Sequence, residues 1–180
     1  MQYNVPVYNK EEQEKKAQLH GIISTNYCLK NWNPAMLLII LLGSVFDANS
    51  LGRWIYEWTK FHYSPQHYAT KVAGELWELL IVLGGKLQRA RNFSQLIIGQ
   101  GNCEIVEGFT KNGEGHWLKL KELLSDCEKY MWKWAKNGGF KMWGGSGAEF
   151  VEAMFSSDKQ WRDTMIFMEN VGIWCKEFDV

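Results

Sequence analysis

Apolar residues recur along this chain at spacings of three and four, and nowhere do they alternate with polar ones between hairpin turn signals as a half-buried strand requires. Trp117, Leu120, Leu124, Cys127, Met131 and Trp134 share one period and predict a helix over 116–136 with a bundle seam on one side. Trp161, Met165, Met168, Val171 and Cys175 predict a second seam near the C-terminus. Ahead of both in the chain, "PQHYATKVAGELWELLIVLGGKLQRAR" places Val72, Leu76, Leu79, Leu80, Leu83 and Leu87 on an apolar side. His67, Lys71, Glu78 and Arg89 fall opposite.

The punctuation agrees with helices. Asn33 before Pro34 reads as an N-cap and first helical residue that launch the apolar run "AMLLIILLG", and Ser64 with Pro65 repeats the device before a helix through Arg91. The glycines of "QGNCE", "KNGEG", "KNGGF" and "WGGSG" mark loops, and "SSDKQ" marks another helix start. The expected fold is therefore all-α: a single-domain bundle of about six helices around the apolar helix, spanning 31–180. An N-terminal arm with a short polar helix, 1–30, precedes it. No repeat of fixed length is visible, which disfavours a solenoid.

Composition narrows the class. The chain has 180 residues, enough for one buried core, with 46% hydrophobic and 22% charged residues, as globular chains have. Twenty basic and twenty acidic side chains cancel, so the whole surface gives no electrostatic case for nucleic acid or an anionic membrane. "AMLLIILLG" is well short of the roughly 20 residues that span a bilayer, and the N-terminus lacks the apolar stretch of a signal peptide. A cytoplasmic protein without a membrane span is the expectation. Cys28, Cys103, Cys127 and Cys175 are far apart, with no C-x-x-C pair, and read as reduced thiols.

Candidate chemistry gathers in "LLGSVFDANSLGRWIYEWTKFHY". If the helix begun at Pro34 runs through Ser50, Asp47 falls on the stripe of Leu51, Trp54, Trp58 and Phe61, so a carboxylate faces the core and needs a partner or a proton. Helix capping is the first reading of Asp47, a buried structural acid the second, and a functional acid the third. Glu75 follows Lys71 by four residues and reads first as half of a solvated ion pair. The catalytic alternative pairs Glu75 with Asp47 or His62 across a cleft for proton transfer. His62 and His67 flank "YSPQ" without H-x-x-x-H or E-x-x-H spacing, so no metal site and no cofactor are expected. There is no G-x-S-x-G, and the glycines of "NGGFKMWGGSGAEF" lack the G-K-[ST] ending of a phosphate loop.

Ten tryptophans in so small a chain call for a reason beyond filling a core, because a buried indole needs a partner for its N–H. Core packing is the ordinary fate of each. Trp54, Tyr56, Trp58 and Trp77, on consecutive helices, are the candidate walls of an inter-helical pocket, with His62 and Arg89 as polar neighbours. In "CEKYMWKWAK", Lys129, Trp132, Lys133 and Lys136 share a face that could stack on bases or meet acidic lipids.

The segments "FDANSLGRWIYEW", "AGELWELLIVLGGK" and "EFVEAMF" resemble uncharacterised helical proteins of filamentous fungi, over about residues 31–180. That resemblance implies a fungal source and carries no activity or site residue. Two functional classes follow from the residues. One is a small all-α protein binding an aromatic or apolar metabolite, with acid–base or shape-based catalysis in specialised metabolism as an extension. The other is a helical interaction module without catalysis, meeting a protein partner or a second copy of itself. RNA binding through the Lys/Trp face is the weaker third.

Overall fold

The structure, a computed structural model, describes residues 48–94, 100–136, 146–156, 158–177 and 179. Among these there are five helices and no strand, so the protein is all-α. They are α1 (Ala48–Tyr63), α2 (Tyr68–Ser94), α3 (Gln100–Lys136), α4 (Ser146–Phe155) and α5 (Trp161–Glu177). The expected apolar helix at Pro34 and the arm over 1–30 lie outside the described residues, as do residues 137–145 of the expected loops "KNGGF" and "WGGSG"; the last two residues of the latter, Ser146 and Gly147, open α4 instead. α1 and α3 each pack on both α2 and α4, which closes a four-membered ring, and α5 lies against α2, α3 and α4. No helix among the described residues is long and apolar enough to cross a membrane.

The core of this ring comes largely from α2. Val72, Leu76, Leu80, Leu83 and Leu87 are buried as their period requires, and Leu79 packs at the edge. Trp77 and Ile81 are buried too, because α2 is covered by α1 on one flank and by α3 and α5 on another. Lys86, buried on α2, meets the Asp179 carboxylate near the end of the chain, which answers its charge.

Two expectations are corrected. "QGNCE" and "KNGEG" are not loops: α3 runs through both and is 37 residues long, on the order of 55 Å, so the helix expected over 116–136 is its C-terminal part. Tertiary contact overrides the local signal at Gly113, where a Cβ would lie 2.6 Å from Trp174 Cζ2 and 2.7 Å from Leu87 Cδ2. The seam of α3 holds Leu120, Leu123, Leu124 and Cys127, while Trp117 is half-buried and the side chains of Met131 and Trp134 lie outside the described residues. On α5 the buried stripe is rotated from the expected one. Thr164, Phe167, Val171, Trp174 and Cys175 face inward, whereas Trp161, Met165 and Met168 pack at the margin. Thr164 is tolerated inside because its Oγ1 lies 2.9 Å from Gln160 O and 3.1 Å from Met154 O, with one proton shared between two carbonyls.

Three tryptophans rest on three glycines of neighbouring helices. Trp77 of α2 lies on Gly52 of α1, Trp174 of α5 on Gly113 of α3, and Trp58 of α1 on Gly147 of α4. At Gly52 an added Cβ would come within 2.8 Å of the Trp77 Cα, a backbone atom that moves only if the two helices part. Trp77 is further fixed by its Nε1–H, which donates to Asn49 Oδ1 at 2.9 Å, so two buried polar groups satisfy each other one turn before Gly52.

Burial also sets the ionisable groups of α3. Glu128 is buried, and desolvation pushes its carboxyl up to about 7. Burial, with Lys119 adding to it, pushes His116 below the usual imidazole range. Its ring packs edge-on to Trp174, 6.1 Å between centroids.

Gly52→Ala should cost about 1–3 kcal/mol through forced separation of α1 and α2. Gly108 of α3 has nothing within 4 Å of an added Cβ, so Gly108→Ala should gain about 0.5–1 kcal/mol from helix propensity. Thermal unfolding of both variants checks the opposite signs; two losses of equal size would contradict the packing described.

Candidate functional site

The turn between α1 and α2 carries an unusual backbone. Ser64 has φ 93°, the left-handed region, and no other non-glycine among the described residues has a positive φ. It stands one residue past the end of α1, where its N–H donates to Lys60 O at 3.1 Å, the bond that closes a helix with a left-handed residue. Glycine is the usual occupant of that position. Pro65 then stops the helix. The start of α2 is capped by His67, not by Ser64 as the Ser-Pro pair suggested. The Ala69 N–H donates to His67 Nδ1 at 3.1 Å, which places the ring's proton on Nε2. Thr70 ties the turn together by donating its hydroxyl to Ser64 O at 2.7 Å.

This backbone displays aromatic rings. Tyr63 stacks on His67, with centroids 4.6 Å apart and planes 13° apart, and His62 meets Tyr63 edge-on at 4.5 Å. Tyr68, 59% exposed, contacts Trp161 of α5 edge-on at 5.8 Å. The end of α4 adds charge: Glu152 pairs with Lys159 at 3.2 Å, and the Lys159 ammonium stands 4.9 Å from the Tyr130 ring of α3. Burial first and the Glu152 charge second raise the Tyr63 hydroxyl above the usual phenol range, so it is a hydrogen-bond donor and not a base at neutral pH. Chemically, the two ring pairs, Tyr63 with His67 and Tyr68 with Trp161, make a ledge of flat aromatic faces beside one ion pair.

The residues singled out in the sequence separate into groups. Asp47 lies outside the described residues. Glu75 is exposed and faces Lys71 at 3.7 Å, the solvated pair of the first reading. Trp54 is buried edge-on against Phe150 of α4 at 5.1 Å and lies 6.3 Å from Trp58, which contacts Phe61 at 5.8 Å. Tyr56 and Trp77 pair at 5.6 Å toward α2. Thus Trp54 and Trp58 turn toward α4 while Tyr56 turns toward α2, and His62 is exposed at the ledge. Arg89 is half-buried on α2. Phe61, expected on the core stripe, is 73% exposed, two residues before α1 ends.

Among the described residues no three His, Cys, Asp or Glu side chains are grouped as metal ligands. Cys127 and Cys175 are free and buried; burial raises both thiols, Cys175 to about 11, which suppresses the nucleophilic thiolate. Of the Lys/Trp face, Lys129 is exposed and paired with Asp126, and the side chains of Trp132, Lys133 and Lys136 lie outside the described residues. Sequence reasoning passed over Ser64 and His67 as a strained turn with an imidazole cap. The Ser-Pro pair was the available signal, but no residue type announces a left-handed serine. Comparison with protein-family models, curated proteins and solved structures returned no match.

Ser64→Gly should raise stability by up to about 1 kcal/mol by relieving the left-handed strain, partly offset by the greater freedom of glycine in the unfolded chain. Ser64→Val should lower it. Chemical denaturation of the two variants checks this, and a loss on Ser64→Gly would contradict the strain assigned to the turn.

Proposed function

We propose that this protein is a small helical binding protein that takes a flat aromatic or apolar small molecule, and that the ledge of Tyr63, His67, Tyr68 and Trp161 is where the ligand stacks. The observation that carries the reading is the strained Ser64 turn that holds partly exposed rings in fixed orientation. Backbone strain retained in a tight turn is a pointer to function, and the ring of Tyr63 is preorganised by its stack on His67. The Glu152–Lys159 pair is the polar edge that would orient a ligand carrying a donor or an acidic group. Trp54, Tyr56, Trp58 and Trp77, the expected pocket walls, support this reading from beneath, by packing that fixes the position of α1. A role for Asp47 and Glu75 in acid–base catalysis, a cytoplasmic location and a fungal source remain parts of the same proposal. They rest on sequence alone.

A second reading, a helical interaction module, is favoured by one observation. Ile166 and Ile173 on α5 are 44% and 50% exposed, two turns apart on one face.

The test is a titration of the full chain with indole, naphthalene and their carboxylates, followed by amide chemical shifts. Saturable shifts at Tyr63, His67, Tyr68 and Trp161, lost in Tyr68→Ala with folding intact, are the expected result. Shifts confined to other helices, or none with any of the probes, would overturn the assignment of the ledge.

A further inference from the structure

The outer face of α5 has a pattern that its own helix does not explain. Ile166 and Ile173 lie opposite the buried stripe of Thr164, Phe167, Val171 and Trp174. Arg162 and Glu177, both exposed, continue that outer face at helical spacing toward the two ends. Each has the sign that the helix dipole disfavours, a cation in the first turn and an anion in the last. Asp163 and Lys176, at the flanks of the same face, have the favoured signs.

We propose that this face joins two copies of the chain as an antiparallel pair with two-fold symmetry. An axis perpendicular to α5, passing between Glu169 and Asn170, brings Ile166 opposite the partner's Ile173 and Arg162 opposite the partner's Glu177. Symmetry repeats both contacts, as an isologous interface requires. The same operation removes the dipole misfit: Arg162 comes to lie beside the C-terminal end of the partner's helix and Glu177 beside its N-terminal end. Two isoleucines per copy cover each other from water at the centre and ion pairs lie toward both ends, while Glu169, exposed and about 50° off the isoleucine line, faces its own copy beside the axis, a like-charge contact that limits the affinity. α5 is on the order of 25 Å long, so the contact belongs at the small end of specific interfaces, below about 1,200 Å². Association is therefore weak, and rising salt weakens it further because its ion pairs are exposed. The sequence of the face complements itself, which selects a second copy over an unrelated partner.

Sedimentation of the full chain from micromolar to millimolar concentration at low salt tests this. The expected result is a reversible monomer–dimer equilibrium. Arg162→Glu should weaken it by about tenfold, since one substitution removes two pairs and sets like charges together. The doubly swapped chain, Arg162→Glu with Glu177→Arg, should recover it. Ile166→Asp and, independently, Ile173→Ser should shift the chain to monomer. Circular dichroism confirms that each variant is folded, which these exposed positions permit. A monomer at every concentration, a dimer indifferent to Arg162→Glu, or a folded double swap that fails to recover association would each overturn the proposal.

Discussion

An indole ring is wide and flat, and three of them in this protein lie where a neighbouring helix has no side chain at all. The contacts of Trp77 with Gly52, Trp174 with Gly113 and Trp58 with Gly147 set how near α1 comes to α2, α5 to α3 and α4 to α1. Any side chain at these glycines displaces a ring or a helix, and the close-packed interior offers no room to absorb the shift. A chain with ten tryptophans and seventeen glycines therefore uses some of each as paired parts. The ring of helices α1–α2–α3–α4 depends on two of the seats directly, and α5 is held by the third.

This geometry connects the core to the surface features. Trp77, anchored by Asn49, fixes α2 against the first turns of α1. With both helices held, the turn between them must reverse the chain in a few residues, and Ser64 accepts a left-handed conformation to do so. The stacked Tyr63 and His67 are consequences of that reversal. On the other side, the seat of Trp174 on Gly113, with Thr164 bonded to the Met154 carbonyl of α4, fixes the rotation of α5 about its axis. That rotation leaves Ile166 and Ile173 outward.

Periodicity made the all-α class legible, together with the α2 stripe of Val72 to Leu87 and the Leu120–Leu124–Cys127 seam, because burial of these side chains follows from spacing alone. It failed at Gly113 and Gly115, where glycines that locally read as a loop sit inside α3. The role of Gly113 depends on Trp174, far away in the chain, and no local rule contains it. The face of α5 was misplaced by one side of the stripe because Thr164 is polar by type, yet its hydroxyl is paired with the local Gln160 carbonyl and with a Met154 carbonyl that only the fold supplies. Glu75 was legible as an i,i+4 partner of Lys71. The ledge was half legible: His62 and His67 were singled out around Ser64 and Pro65, but their grouping with Tyr68, Trp161 and Lys159 arises from helix ends brought together in space.

The central claim, that tryptophan-on-glycine seats position the helices, is tested most directly by a double-mutant cycle at Gly113 and Trp174. Unfolding free energies of Gly113→Ala, Trp174→Leu and the pair should be strongly non-additive, with the alanine costing far less once the ring is gone and its helix propensity can show. A coupling of about 1 kcal/mol or more in that direction is predicted. Additive losses, with Gly113→Ala as costly in the Trp174→Leu background as in the parent chain, would contradict the account.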